Sequence, residues 1–115
     1  MEFGYKINEK NNYMVVQLSG NLMEKSQAAE LINEINNSVE KDAANFIIDF
    51  SDFKYMNSTG LNVLLNILSI ARKSGGEAVI CSVPEKIKTL LIITKLVNVF
   101  SVTENEQLAA QVFNN

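Results

Sequence analysis

Phe46-Ile47-Ile48-Asp49-Phe50, followed shortly by Tyr55-Met56-Asn57-Ser58-Thr59-Gly60-Leu61, carries the chain from a strongly apolar run into a segment of helical periodicity. The first run is apolar on both faces apart from Asp49. That is the pattern of a strand in the middle of a sheet covered by other elements. After Ser58, Leu61, Leu64, Leu65 and Leu68 form one face, which Val63, Ile67 and Ile70 widen, until Lys73-Ser74-Gly75-Gly76 supplies a C-terminal cation and a glycine stop. A central strand feeding a nearly buried helix predicts an α/β sheet.

Reading outward, Phe3, Tyr5 and Ile7 alternate with polar residues. After the turn signal Glu9-Lys10-Asn11-Asn12, a second run sets Met14, Val16 and Leu18 on one face. This predicts an antiparallel hairpin, with Gly20-Asn21 breaking its second strand. Ser26 is read as a helix N-cap, and Ala28, Leu31, Ile32, Ile35 and Val39 recur at helical spacing up to Glu40-Lys41-Asp42. On the other side, Ala78 to Val83 reads as a short strand and Pro84 as the first residue of a helix burying Ile87, Leu90 and Leu91. Val99 to Val102 reads as a last strand. Thr103 with Glu106 forms a capping box for a closing helix in which Leu108 stacks on Val112 and Ala109 on Phe113. The expected architecture is a mixed sheet opened by the N-terminal hairpin, with about four helices packed on it, as one domain over residues 1–115.

Composition narrows the function. Apolar residues make up 47% and charged residues 20% of the chain, the balance of a globular domain. The net charge of −3 and scattered lysines give no footprint for nucleic acid. No apolar run approaches the roughly 20 residues of a membrane helix, and nothing at the amino terminus reads as a secretory signal, so a cytoplasmic protein without membrane insertion is expected. The absence of histidine removes Ser-His-Asp and Cys-His machinery, His-containing zinc sites and the commonest general base. The single cysteine, Cys81, sits in an apolar run and reads as a small buried hydrophobe. Neither catalytic residues nor a cofactor or metal site is expected. Asp49 and Asp52 read as acceptors for backbone or hydroxyl groups of the following loop.

Ser58 and Thr59 place two hydroxyls at a helix start, where unpaired backbone N–H groups and the positive end of the dipole favour an anion. Phosphorylating Ser58 would add about −1.5 to −2 charges and three acceptor oxygens, for which the amides of Thr59, Gly60 and Leu61 are candidate partners. Ser and Thr are equally good simple caps, and spacing alone favours that plainer role. Gly60 either lets a partner approach the helix start or relieves packing against a strand. Met56 reads as a partner anchor or a plug of the core edge. Leu22 and Met23, beside Gly20, read either as exposed apolar contacts, for which they are the better candidates, or as buried residues.

The stretch Phe50-Ser51-Asp52-Phe53-Lys54-Tyr55-Met56-Asn57-Ser58-Thr59-Gly60-Leu61, with Gly75-Gly76 beyond it, resembles the signature of the STAS domain, as in bacterial anti-sigma factor antagonists of the sporulation and stress-response type. The likeness covers almost the whole chain. It implies the STAS fold, a phosphoacceptor at Ser58 with Thr59 as the neighbouring hydroxyl, and a partner surface of Leu22, Met23, Asn57, Ser58, Thr59, Gly60 and Leu61. It further implies partner switching. The unphosphorylated protein binds an anti-sigma factor that is also a serine kinase and frees the sigma factor; phosphorylation abolishes binding, and a serine phosphatase restores it. The protein would be a substrate and switch rather than an enzyme, a monomer or weak dimer. The chain departs from the family pattern where Asn57 replaces an Asp, and where Asn21 and Met23 replace acidic residues. Two other readings stand beside this one: a STAS interaction module indifferent to phosphorylation, and a nucleotide- or lipid-related ligand binder resting only on the helix start.

Overall fold

The structure is a computed structural model that describes residues 2–113. Five strands form one sheet in the order β1-β2-β3-β4-β5. β1 (Gly4–Glu9) and β2 (Met14–Leu22) make the predicted antiparallel hairpin, in register from Gly4 opposite Ser19 to Glu9 opposite Met14. β3 (Phe46–Met56), β4 (Ala78–Cys81) and β5 (Ser101–Thr103) then add in parallel. Each parallel step is bridged by a helix: α1 (Ala29–Glu40), α2 (Ser58–Lys73) and α3 (Glu85–Ile93). Crossovers of one hand that advance across the sheet in one direction put their helices on one face. The main core lies there, with Leu31 and Ile35 of α1, Leu64 and Ile67 of α2, and Ile87 and Leu91 of α3 over Val16, Ile48 and Ile80. α4 (Glu106–Val112) covers the other face, where Ala109 packs over Val15, Ile47, Val79 and Cys81, and Phe113 stacks on Tyr13 with ring centroids 5.8 Å apart.

β3 is the central strand expected, but it does not end at Phe50. It runs to Met56 because it contains two bulges. Residues 49 to 52 span the pairing steps of Gln17 and Ser19, and residues 53 to 55 those of Gly20 and Asn21, one extra β3 residue each time. The bulges turn alternation into a three-residue repeat, so Phe50, Phe53 and Met56 all enter the core. β2 likewise runs through Gly20-Asn21, where a break was expected. Gly20 accommodates the irregularity with φ +73°, and a Cβ there would lie 1.8 Å from the Glu2 carbonyl oxygen.

Helix starts also depart from expectation. Ser26 is not a cap: a 3-10 turn, Lys25–Ala28, precedes α1, and Glu24 with Gln27 forms its capping box. Pro84 occupies the N-cap position of α3, one residue before the helix. Thr103 belongs to β5, and Asn105 caps α4 through its side-chain oxygen, which accepts from the Leu108 amide at 2.9 Å. The Asx acceptor nearest the helix satisfies the orphan donor, so the Thr103 capping box does not form. The fourth and fifth strands are each shorter than read, the short turn Leu96–Asn98 precedes β5, and Leu90 is only partly buried. The glycine stop of α2 is as predicted: Gly75 takes φ +85° and the Gly76 amide donates to the Ala71 carbonyl at 2.9 Å.

Cys81 is fully buried, and burial, with Asp49 adding to it, pushes its thiol up to about 11. Labelling by a thiol reagent should therefore follow opening of the fold. The expected native rate is about 10³-fold or more below that in denaturant, in line with the unfolded population of a stable domain. Comparable rates in the two conditions would contradict the burial.

Candidate functional site

Asn57 organises the helix start that the sequence singles out. Its backbone is extended (φ −97°, ψ −169°), and its side-chain oxygen accepts from the Gly60 amide at 3.0 Å while its carbonyl accepts from the Leu61 amide at 3.0 Å. Asn57, not a hydroxyl, is thus the N-cap of α2. Ser58 is the first helical residue, exposed, with its hydroxyl in no hydrogen bond among the described residues. This removes the simple-cap reading of Ser58. It also corrects the anion site: of the three amides expected to meet a phosphate, those of Gly60 and Leu61 are already held by Asn57, leaving Thr59.

The Asn57 amide nitrogen makes a second contact, donating to the Met23 carbonyl at 3.1 Å. That bond ties the end of β2 to the start of α2. Gln27 holds the same loop from the other side, its side-chain oxygen accepting from the Met23 and Glu24 amides at 2.9 Å each. A carboxylate at position 57 would keep the cap and lose this donor. Asn57→Ala should therefore lower stability by about 1–2 kcal/mol, through the lost cap and an unpaired carbonyl. Asn57→Asp should stay within about 1 kcal/mol, helped by the helix dipole, while amide exchange in residues 21–24 accelerates. Denaturant titration and hydrogen exchange on the two variants check both; unchanged exchange in the Asp variant would show that the Met23 bond constrains nothing.

The proposed partner residues divide by burial. Leu22 is 0% exposed and Leu61 4%, so neither side chain is on the surface, whereas Met23 is 41% exposed. Gly60 is buried for a packing reason: a Cβ there would lie 2.5 Å from the Leu22 carbonyl oxygen and 2.8 Å from the Met56 Cβ. Met56 is fully buried, which makes it the plug of the core edge. The surface that remains is Met23, Asn57, Ser58 and Thr59, joined by Tyr55, which is 40% exposed. Tyr55 escapes sequence reasoning because the strand is read there as ending at Phe50, whereas β3 continues to Met56 with Asn21 paired to Tyr55 and Leu22 to Met56. Asp49 takes the structural role expected, accepting from the Ser51 amide at 2.9 Å, whereas Asp52 accepts not from the following loop but from Gln17 Nε2 of β2 at 3.0 Å. Among the described residues no group of three acidic, cysteine or histidine side chains is placed to hold a metal ion, and no helix is long and apolar enough to cross a membrane.

Residues 5–109 match the family model of the STAS domain. Among curated relatives, a protein of Bordetella bronchiseptica named as a candidate anti-sigma factor antagonist, BtrV, is 24% identical over 105 residues, covering 91% of this chain and 90% of its own. Among solved structures, an anti-sigma factor antagonist from Mycobacterium paratuberculosis aligns with a TM-score of 0.83 at 18% identity, covering 99% and 96% of the two chains. The anti-sigma factor antagonist SpoIIAA aligns with a TM-score of 0.73 in its unphosphorylated form, at 13% identity over 93% and 94% of the chains. Its phosphorylated form gives 0.73 at 14% identity over 95% and 99%.

Proposed function

We propose, from the premise that this chain belongs to the STAS domain family, that it is an anti-sigma factor antagonist whose binding surface is switched by phosphorylation of Ser58. The observation that carries this reading is the free Ser58 hydroxyl at the first position of α2, made available because Asn57 does the capping. Exposed Met23, whose carbonyl is bound by Asn57, and Tyr55, three residues before Ser58 in the chain, supply apolar contact area. The partner is an anti-sigma factor with serine kinase activity, a serine phosphatase reverses the modification, and the protein acts in the cytoplasm as a substrate, without catalysis of its own. An exposed serine at a helix N-terminus accepts a phosphate without disturbing the packed residues behind it. SpoIIAA, which matches this fold equally well in its unphosphorylated and phosphorylated forms, supports a switch that works without refolding.

A second reading is favoured by the Asn57 bond to the Met23 carbonyl, which fixes the Met23 loop without any charge at Ser58. On that reading the same surface binds its partner whether or not Ser58 is modified. Intact mass after incubation with magnesium ATP and each anti-sigma-type kinase of the source genome separates the two, with Ser58→Ala alongside. A single phosphate lost in the Ala variant is expected. No phosphate from any active kinase would end the switch reading and leave the phosphorylation-independent module.

A further inference from the structure

Seven large apolar side chains are exposed among the described residues, and of these Met23 and Tyr55 belong to the segments that meet at Asn57, next to Ser58. The other five, Ile92, Ile93, Val99, Leu108 and Val112, belong to the elements around β5, at the opposite edge of the sheet from the hairpin. Among the described residues β5 pairs only with β4, which leaves its outer edge open there. Beside it runs a groove of about 790 Å³, lined by Val83, Val97, Val102 and Leu108 with Lys88 and Glu104. Helical spacing extends the walls: Ile92 lies one turn beyond Lys88 on α3, and Val112 one turn beyond Leu108 on α4. The groove is thus flanked by two half-apolar stripes.

Charge identifies what covers them. The α3 side carries Lys86, Lys88 and Lys95 against Glu85 alone, whereas residues 99–113 carry Glu104 and Glu106 and no cation. Lys88 and Glu104 line the same groove but form no ion pair; Arg72 with Glu77 is the salt bridge present among the described residues. One face of the molecule therefore holds a basic apolar stripe and an acidic apolar stripe side by side. A two-fold axis sets the first stripe of one copy on the second stripe of the other, twice over, which is the self-complementarity an isologous dimer requires.

We propose that this β5-edge face is a self-association surface, on which α3 of one copy packs against α4 of a second copy with Lys88 facing Glu104 and Ile92 facing Leu108 and Val112. Such a dimer carries two Ser58 sites, each two strands away across the sheet from the interface. The proposal does not depend on the role of Ser58.

Sedimentation equilibrium from micromolar to millimolar concentration tests it. The 12.8 kDa chain should show a reversible dimer that weakens with salt. Ile92→Asp, at a position 55% exposed and so spared by the fold, should weaken association about tenfold or more. Lys88→Glu and Glu104→Lys should each weaken it, and a mixture of the two should form a heterodimer tighter than either variant alone. Ser58→Ala should leave association unchanged, which separates this outcome from that of the phosphorylation switch. A chain that remains monomeric at millimolar concentration overturns the proposal, whatever else binds the face. So does a dimer that neither Ile92→Asp nor the charge reversals weaken.

Discussion

Gly60→Val will remove most of the stability of this protein, although valine is an ordinary helix residue and Gly60 lies in an ordinary helical turn. The first atom of any side chain at Gly60 meets the Leu22 carbonyl oxygen at 2.5 Å and the Met56 Cβ at 2.8 Å. The first of these belongs to the backbone of β2, held there by pairing with β3, and cannot swing aside. Relief requires α2 to lift from the sheet, which loosens the main core that Leu61, Leu64 and Ile67 help to form. Overpacking of this kind costs about 1–3 kcal/mol for added methylenes and more when backbone must move. Gly60→Ala recovers about 1 kcal/mol from helix propensity, so its net loss should be about 1–2 kcal/mol. Gly60→Val has three added carbons and little compensation, and should lose more than about 3 kcal/mol, a large share of the 5–15 kcal/mol typical of a domain. Urea unfolding measures both. A Gly60→Ala chain as stable as the parent would show that the helix start can move away from β2 freely, so that the Leu22 carbonyl does not limit its approach to the sheet.

Phosphate on Ser58 should act on binding and not on folding. Because Ser58 is exposed and unbonded, the modified protein should unfold within about 0.5–1 kcal/mol of the unmodified one, with the helix dipole offsetting part of the charge. For the anti-sigma partner, the expectation is a loss of at least about 100-fold in affinity, roughly 2.7 kcal/mol. Desolvating a dianion at Ser58 in an interface, with two of the nearby amides already held by Asn57, exceeds that figure readily. The loss should appear mainly in the dissociation rate. Calorimetry or surface binding with the unmodified, phosphorylated, Ser58→Ala and Ser58→Asp proteins provides the comparison. The Ala protein should bind like the parent, and the Asp protein should fall between, having one charge in place of nearly two. Equal affinity of the phosphorylated and unmodified proteins would remove the switch while leaving the surface.

The class of sheet, the hairpin, the central position of Phe46 to Phe50, the buried α2 and its glycine stop are all legible in the order of the residues. Each rests on interactions local in the chain: apolar periodicity selects strand or helix, and Gly75 reaches a left-handed φ more readily than residues with a Cβ. The stretch around Ser58 also carried the family resemblance. Which of the named residues meet solvent depends instead on long-range packing. β3 runs through two bulges because β2 continues to Leu22 as its partner, and that long-range pairing places Phe53 inside and Asp52 outside, against the alternation a lone strand would follow, and carries Tyr55 and Met56 into the strand. Leu22 and Met23 read alike as apolar neighbours, yet one is covered by the start of α2 and the other exposed, a distinction set by a helix that begins 35 residues later. Asn57 read as the loss of a charge. Only with Met23 brought beside it does its amide become a donor that joins two segments remote in sequence and frees the Ser58 hydroxyl from capping. Side-chain chemistry is written residue by residue, but the partner that gives a hydrogen bond its meaning is supplied by the packing of distant strands and helices.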